Sequence, residues 1–226
     1  MDPTTTEALI AAGTALARHG LVDAFGHVSA RTRDGGWAMT RGVPLGALTP
    51  DDVRPFDPTA DTLSPSLPKE GWIHRAVVRA RPDVGAICRA QPPTATALAS
   101  AGVPVVPLHG QGSFLGPAVP VHEDPRLVRD PEHAARLAHD LGRGPAVLMR
   151  GNGAVTVGAS VAEAVALMWV LERSALMNAT ASAVGTARPL AEDEQRAWRQ
   201  VAPELCSRIW LYLANEETPQ RRSTRP

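Results

Sequence analysis

The pattern of hydrophobic and polar positions begins with a helix and continues with a pair of strands. Residues 4–18 mix leucine, isoleucine and alanine with polar side chains, which is typical of a helix. Thr4 and Glu7 have the spacing of a capping box at the start of that helix. Residues 26–31 and 37–40 then flank a glycine-rich turn, a pattern that predicts a β-hairpin.

The middle of the chain alternates helices and strands. Residues 50–68 are rich in Pro, Asp, Ser and Thr, which predicts a loop with little strand. A helix is predicted over residues 69–81, because apolar residues recur on one face and Pro82 ends the pattern. Residues 83–88 form a short apolar run that predicts a buried strand, and a helix follows over 94–100.

The second half of the chain shows the same alternation. Asp130 and Pro131 provide an N-cap and a first-turn proline, which predict a helix that reaches about Leu141. The run AVLMRGNGAVTVG predicts two apolar strands, and the Asn152-Gly153 pair between them is typical of a two-residue hairpin turn.

Helices are also predicted in the C-terminal third of the chain. Ser160 and Glu163 have capping-box spacing before a long helix that runs through the 170s. Residues 192–213 are helical in pattern, whereas residues 214–226 are polar and predict a mobile tail.

Composition favours one layered α/β domain. The 21 prolines and 19 glycines divide the chain into many short elements, which favours helices layered on a central sheet over a helix bundle. With 226 residues, 44% of them hydrophobic, the chain is long enough to bury one substantial core. We therefore predict a single domain over residues 1–213.

Charge and cysteine content narrow the class of partner. Lys and Arg together number 23, as do Asp and Glu, so the balance argues against nucleic-acid and membrane partners and favours a small molecule. The two cysteines are too few for a disulfide framework or a thiolate zinc site. The N-terminus lacks a signal-peptide pattern, and no apolar run has the length of a membrane span. We expect a soluble, cytoplasmic protein.

Four segments, in order, resemble the class II aldolase/adducin family. They are GLVDAFGHVSAR, MTRGVPLGALTPDDV, PKEGWIHRAVVRARPDVGAICRAQPPTATALA and AVLMRGNGAVTVGASVAEAVALMWVLERSA. The resemblance implies a three-layer α/β/α sandwich with a mostly antiparallel central sheet, commonly assembled as a homotetramer. It also implies a lyase, because the enzymes of this family are mainly aldolases and decarboxylases that use a divalent metal to stabilise a carbanion.

The resemblance identifies the positions on this chain that correspond to the family's acid/base residue and to its three metal ligands. The family's acid/base glutamate falls on Glu70 of KEGWIH. Its two strand histidines fall on Arg89 and Gln91, and the third falls on Asn152 of RGNG, so all three histidines are replaced. Alternate residues of a strand share a face, so Arg89 and Gln91 are expected to project together. Because Arg offers only donors and amides are weak ligands, we predict no metal and no other cofactor.

Two residues are candidate catalytic groups, each with a structural alternative. Arg89 either takes the place of the metal charge and binds a substrate carboxylate or oxyanion, or forms a buried bridge with Glu70 or another acid. Glu70 either moves a proton or only complements the positive end of a helix, and the resemblance favours the catalytic role.

Five residues are candidate substrate contacts. Side-chain amides can orient a carbonyl or hydroxyl, although Asn152 is also explained by its turn. His27 shares a strand face with Ser29, and Arg41 offers a second cation. His109 lies in a Gly-rich loop and is a further candidate, although such residues are more often without a role. The candidates are Gln91, Asn152, His27, Arg41 and His109.

Two neighbouring residues receive a structural interpretation. His74, one turn after Glu70, is assigned to packing or to a supporting contact, and Cys88 is expected to face away from Arg89 into the core.

The leading hypothesis is a lyase, either a decarboxylase or a carbon–carbon lyase, that acts on a small carboxylate without the family's metal. The phosphate-binding turns of the family's sugar-phosphate aldolases fall on residues 25–27, 41–42 and 68–69, where the sequence is altered, which argues against a sugar phosphate. GHVSAR is similar to the family branch that contains decarboxylases of aromatic or dicarboxylic acids. Two alternatives stay open from the sequence: a catalytically silent relative that binds a metabolite or partner, and a metal-free isomerase or cyclase.

Overall fold

The centre of the molecule is a seven-stranded sheet. A computed structural model describes residues 2–215 of the chain. In chain order the strands are β1 (His27–Arg31), β2 (Trp37–Thr40), β3 (Val53–Pro55), β4 (Ala86–Ala90), β5 (Val121–His122), β6 (Ala146–Met149) and β7 (Gly153–Gly158). Their order across the sheet is β3-β2-β1-β4-β7-β6-β5, and every neighbouring pair is antiparallel except β5 and β6.

Helices cover both faces of the sheet. They are α1 (Pro3–Arg18), α2 (Gly71–Ala80), α3 (Pro93–Ser100), α4 (Pro131–Leu141), α5 (Val161–Val184), α6 (Glu192–Gln200) and α7 (Ala202–Ala214). α5 packs against α1, α3 and α7 on one face, while α2 and α4 pack together on the other. The predicted three-layer α/β/α sandwich with a mostly antiparallel sheet is confirmed.

The pleat of β4 sends its side chains alternately into two different environments. Ala86, Cys88 and Ala90 join the apolar core under α5 and its neighbours. Ile87 joins the core under α2 and α4, and Arg89 projects to that same face. Cys88 is fully buried and is a core residue, as the sequence predicts, and this burial raises the pKa of its thiol to about 12.

Most predicted elements are present, and the predicted start of the first helix is wrong. The first helix is capped by Asp2, whose side chain accepts a hydrogen bond from the Thr4 backbone N–H, and not by a Thr4–Glu7 box. The loop over residues 50–68 contains the edge strand β3. The helical pattern over residues 192–213 is present as two helices that meet at Val201, because a proline in the first turn of the second helix cannot continue a helix hydrogen-bond ladder.

The turn between β6 and β7 is longer than predicted. Met149 pairs with Gly153, so residues 150–152 form the turn, in place of a two-residue Asn-Gly turn. Gly153 has φ of 105°, and a Cβ there would collide with the carbonyl oxygen of Ala90. This close approach of two backbones brings Asn152 to the end of β4.

Two further predictions concern the chain as a whole. None of the helices within residues 2–215 combines the length and the apolar character that a membrane span requires. The tail predicted over residues 214–226 lies outside the described residues, apart from Ala214 and Asn215. The single-domain assignment stays a prediction.

Candidate active site

Six polar side chains meet on the face of the sheet that α2 and α4 cover. His27, at the start of β1, lies directly opposite Arg89 on β4, so the two residues share this face. The residue before α2 adds a carboxylate, and the turn between β6 and β7 adds an amide. We call this group the polar cluster: Glu70, Arg89, Asn152, His27, His74 and Ser29.

Arg89 is the buried cation of the polar cluster. Only 1% of its surface is exposed. Its Nη2 donates to the side-chain oxygen of Asn152 at 2.7 Å and to the Asn152 backbone carbonyl at 3.1 Å. The same Nη2 lies 3.5 Å from Glu70 Oε1. The expected bridge to Glu70 is therefore present, but it occupies only one of the three guanidinium nitrogens.

The polar cluster contains several buried side-chain nitrogens without hydrogen-bond partners. Arg89 Nε, Arg89 Nη1, Asn152 Nδ2 and His27 Nε2 make no hydrogen bond with the described residues. They are four of the six buried side-chain atoms of this kind in residues 2–215, so the deficit is concentrated at one place. An unsatisfied buried polar group costs about 1–3 kcal/mol. Because leaving these nitrogens unsatisfied is costly, their donors are complementary to a ligand that has oxygen acceptors.

Glu70 is the ionised acid of the polar cluster. Burial acts to raise the pKa of Glu70, but interaction with His27 and the charge of Arg89 outweigh it and lower the pKa to about 2. Its Oε2 lies 3.9 Å from His27 Nε2, too far for a hydrogen bond. Although Glu70 is the N-cap residue of α2, its side chain makes no capping hydrogen bond. The carboxylate points into the polar cluster, where its side chain remains 15% exposed.

His27 continues into a buried hydrogen-bonded chain. His27 Nδ1 lies 2.7 Å from His74 Nε2, and His74 Nδ1 lies 2.6 Å from Ser29 Oγ. Burial lowers the pKa of His27 and takes the pKa of His74 well below its ordinary value, so both rings are neutral. His74 is hydrogen-bonded to His27, which is itself a candidate substrate contact, so the supporting contact is the one of the two sequence interpretations that these distances match. The signal in the sequence was its position one helical turn after Glu70.

The remaining candidate residues lie apart from these contacts. Arg41 is 42% exposed at its side chain and pairs with Asp52 at 3.2 Å. His109 contacts the Ser174 hydroxyl and the Gln111 side chain, each at 3.0 Å.

Gln91 lies one residue beyond the end of β4. Its backbone N–H donates to the carbonyl of Leu21, and the residue is half-buried. The role of Gln91 as a substrate ligand, like those of Arg41 and His109, stays a prediction.

Comparison with known proteins identifies the family. The sequence pattern of the Class II Aldolase and Adducin N-terminal domain matches residues 7–179. The chain belongs to the class II aldolase and adducin family. It is 31% identical over 176 residues to the 3,4-dihydroxyphthalate decarboxylase of Arthrobacter keyseri, which covers 70% of this chain and 71% of that protein.

Two other family members extend the comparison over more of the chain. Decarboxylase tropJ of Talaromyces stipitatus is 27% identical over 240 aligned positions, 90% of each protein. The crystal structure of L-fuculose-1-phosphate aldolase from Thermus thermophilus is 30% identical and superposes with a TM-score of 0.72. That match covers 81% of this chain and 98% of the aldolase.

The polar cluster does not fit the divalent metal that membership of the class II aldolase family implies. Within residues 2–215, no three His, Cys, Asp or Glu side chains converge to hold a metal ion. Glu70 and His27 belong to residue types that bind metals, and their side chains lie 3.9 Å apart. The positively charged Arg89 lies beside both. A guanidinium has only donors and repels a cation, so the chemistry of this group favours an anion.

Proposed function

We propose that the protein is a lyase that decarboxylates a small carboxylic acid, and that it does so at the polar cluster without a divalent metal. The observation that carries the proposal is the set of unsatisfied donors on Arg89 and Asn152 beside an ionised Glu70. Buried donors around a guanidinium are complementary to carboxylate oxygens. Two of the relatives named above are decarboxylases, which supports the same reaction.

The relatives also guide the choice of substrate. The name of the Arthrobacter keyseri relative describes an aromatic ring that carries two carboxylates and two hydroxyls. We propose an aromatic hydroxycarboxylic acid for this chain. One anionic group binds Arg89 and Asn152, and a hydroxyl lies within reach of Glu70. Arg89 Nε and Nη1 are free to donate to substrate oxygens, whereas Nη2 is already engaged by Asn152.

The reaction needs a stabilised electron pair and a proton. Glu70 starts ionised, so it takes the proton of a ring hydroxyl and passes it to the ring carbon that bears the carboxylate. Carbon dioxide then leaves, and the electron pair of the broken bond restores the aromatic ring as a phenolate, which takes a proton from water. Arg89 and Asn152 donate to substrate oxygens that carry the negative charge, in a buried place where such donors act strongly.

The proposed function is tested with a panel of aromatic hydroxycarboxylic acids, including 3,4-dihydroxyphthalate, with L-fuculose 1-phosphate as a contrasting substrate. Carbon dioxide release and the aromatic product are measured with and without a chelator, on protein analysed for bound metal. We expect release from at least one aromatic acid, unchanged by the chelator.

Two results would contradict the proposal in different ways. Activity that a chelator abolishes and an added metal restores would overturn the metal-free mechanism. Thermal stabilisation by carboxylic acids with no carbon dioxide release would identify a catalytically silent binder.

A further inference from the structure

The hydrogen-bonded chain from Ser29 through His74 to His27 has a direction that the geometry determines. Each neutral imidazole carries one N–H, and each hydrogen bond uses one proton. The two links, of 2.6 Å and 2.7 Å, can therefore be arranged in only two ways. Either Ser29 donates to His74 and His74 to His27, or both links run in the opposite direction.

The surroundings of His27 decide between these arrangements. If the links run from Ser29, the proton of His27 is on Nε2 and faces the ionised carboxylate of Glu70, 3.9 Å away. If they run the other way, the Nε2 lone pair faces that carboxylate, which is repulsive. The Ser29 hydroxyl proton would then also need another acceptor, and among the described residues its hydrogen bond is to His74.

We propose that His74 and Ser29 are positioning residues that fix His27 as the tautomer with its proton on Nε2. His27 then serves the substrate as an uncharged hydrogen-bond donor. This inference rests on the proposed function for the identity of the ligand, because His27 Nε2, like the free nitrogens of Arg89 and Asn152, makes no hydrogen bond with the described residues.

The arrangement keeps His27 neutral during the reaction. Ser29, His74 and His27 are all buried, and the charged groups that contact His27 are Glu70 and Arg89. A neutral imidazole is a poor acid, so His27 stabilises charge on a substrate oxygen and leaves proton transfer to Glu70.

The test is NMR of the ring nitrogens in 15N-labelled protein without substrate, with signals assigned through His27 and His74 variants. We expect both rings to be neutral with the proton on Nε2. A proton on Nδ1 of His27, or a charged His27 ring at neutral pH, would overturn the proposal.

Two substitutions of His74 separate positioning from packing. In His74→Gln the amide N–H replaces the Nε2 donor, so the His27 tautomer and activity should be retained. In His74→Phe the donor is lost, so the His27 proton should redistribute and kcat/KM should fall by roughly 10²-fold, the loss expected for one misplaced donor. Equal behaviour of the two variants would contradict the proposal.

A second buried histidine pair provides the matched control. His122 Nε2 and His133 Nε2 lie 3.0 Å apart, outside the polar cluster. His133→Phe should lower stability without changing the ring signals of His27; a change would count against a local effect. Because the spectra need no substrate, the expected tautomer in a protein that releases no carbon dioxide would overturn only the proposed reaction.

Discussion

The side chains of Glu70 and Arg89 divide the chemistry of the polar cluster between a mobile proton and a fixed charge. Glu70 is partly exposed and ionised, with its pKa lowered to about 2, so a ligand can reach it and it enters the reaction as the base. Arg89 is buried and keeps its charge, with two nitrogens free of hydrogen bonds to the described residues. One residue is suited to transfer and the other to binding, which allows their roles to be separated by substitution.

Glu70→Gln is expected to remove turnover while carboxylate binding remains measurable. The amide cannot accept and return a proton, and loss of a general acid–base group lowers kcat by about 10²–10⁴-fold. Steady-state kinetics and a thermal-shift titration with the same acid measure the two effects. Full activity of Glu70→Gln would show that Glu70 does not move the proton.

Arg89→Lys is expected to weaken carboxylate binding, because an ammonium cannot reproduce the two donors of a guanidinium plane. The dissociation constant should rise by about tenfold or more. Arg81→Lys is the control, since Arg81 is also buried but binds Asp83 and two backbone carbonyls elsewhere. Similar losses of affinity in both variants would indicate a general effect of a changed buried arginine.

Arg89→His tests whether a histidine at one of the predicted ligand positions gives metal binding. We expect no stoichiometric metal, because one imidazole does not supply the ligands that are missing at Gln91 and Asn152. Elemental analysis of the purified variant gives the answer, and one bound zinc or manganese ion per chain would contradict it.

The β6–β7 turn holds the polar cluster together through the close contact of its backbone with β4. Gly153 allows that contact, and Asn152, the residue before it, accepts two hydrogen bonds from Arg89. The turn therefore sets the position of the guanidinium as well as the connection between two strands.

Gly153→Ala is expected to destabilise the protein more than a matched change elsewhere. Gly35→Ala is the control, because Gly35 also has positive φ but a Cβ there would meet no atom within 4 Å. The control should cost roughly 1–2 kcal/mol from backbone strain. Gly153→Ala should exceed it by about 1–3 kcal/mol because of the collision with Ala90. Urea unfolding measures both, and equal losses would show that the close approach has little weight.

The sequence predicted the elements well where local rules decide them. Asp130 caps α4 and Ser160 caps α5 as expected, because a side-chain oxygen near a helix start acts within a few residues. The β6–β7 turn was mispredicted because its length depends on how closely Gly153 approaches β4, which is a contact between distant segments.

The site was only partly predictable for the same reason. The resemblance identified Glu70, Arg89 and Asn152, and the structure brings these three together. The hydrogen bond between His27 and His74 joins residues 47 positions apart, so no local pattern could show it. The positions of Arg41 and His109 likewise depend on Asp52 and Ser174, which pair with them in the fold.

The molecule as a whole should lose stability on acidification in two stages. Burial lowers the pKa of His27 and His74, so their contribution is present above about 6.5, the ordinary pKa of histidine, and is lost as pH falls. The lowered pKa of Glu70 adds stability above pH 4.5 that is lost as pH falls toward about 2.

Urea unfolding from pH 8 to pH 3 measures this dependence. The wild-type protein should lose more of its free energy of unfolding than Glu70→Gln between pH 4.5 and pH 3, because Gln does not titrate. Parallel curves for the two proteins over that interval would contradict the assigned ionisation of Glu70. The homotetramer and the cytoplasmic location stay predictions.

The alternation of β4 also limits how this enzyme can be engineered or can diverge. Arg89 faces the polar cluster, and its neighbour Cys88 lies in the core beneath α5. Inserting or deleting one residue early in this strand would exchange the two side chains between faces. A guanidinium would enter an apolar layer while a thiol took its place beside Glu70. Point substitutions can therefore change the chemistry of the polar cluster, whereas a change in the length of this central strand would disrupt both the fold and the polar cluster.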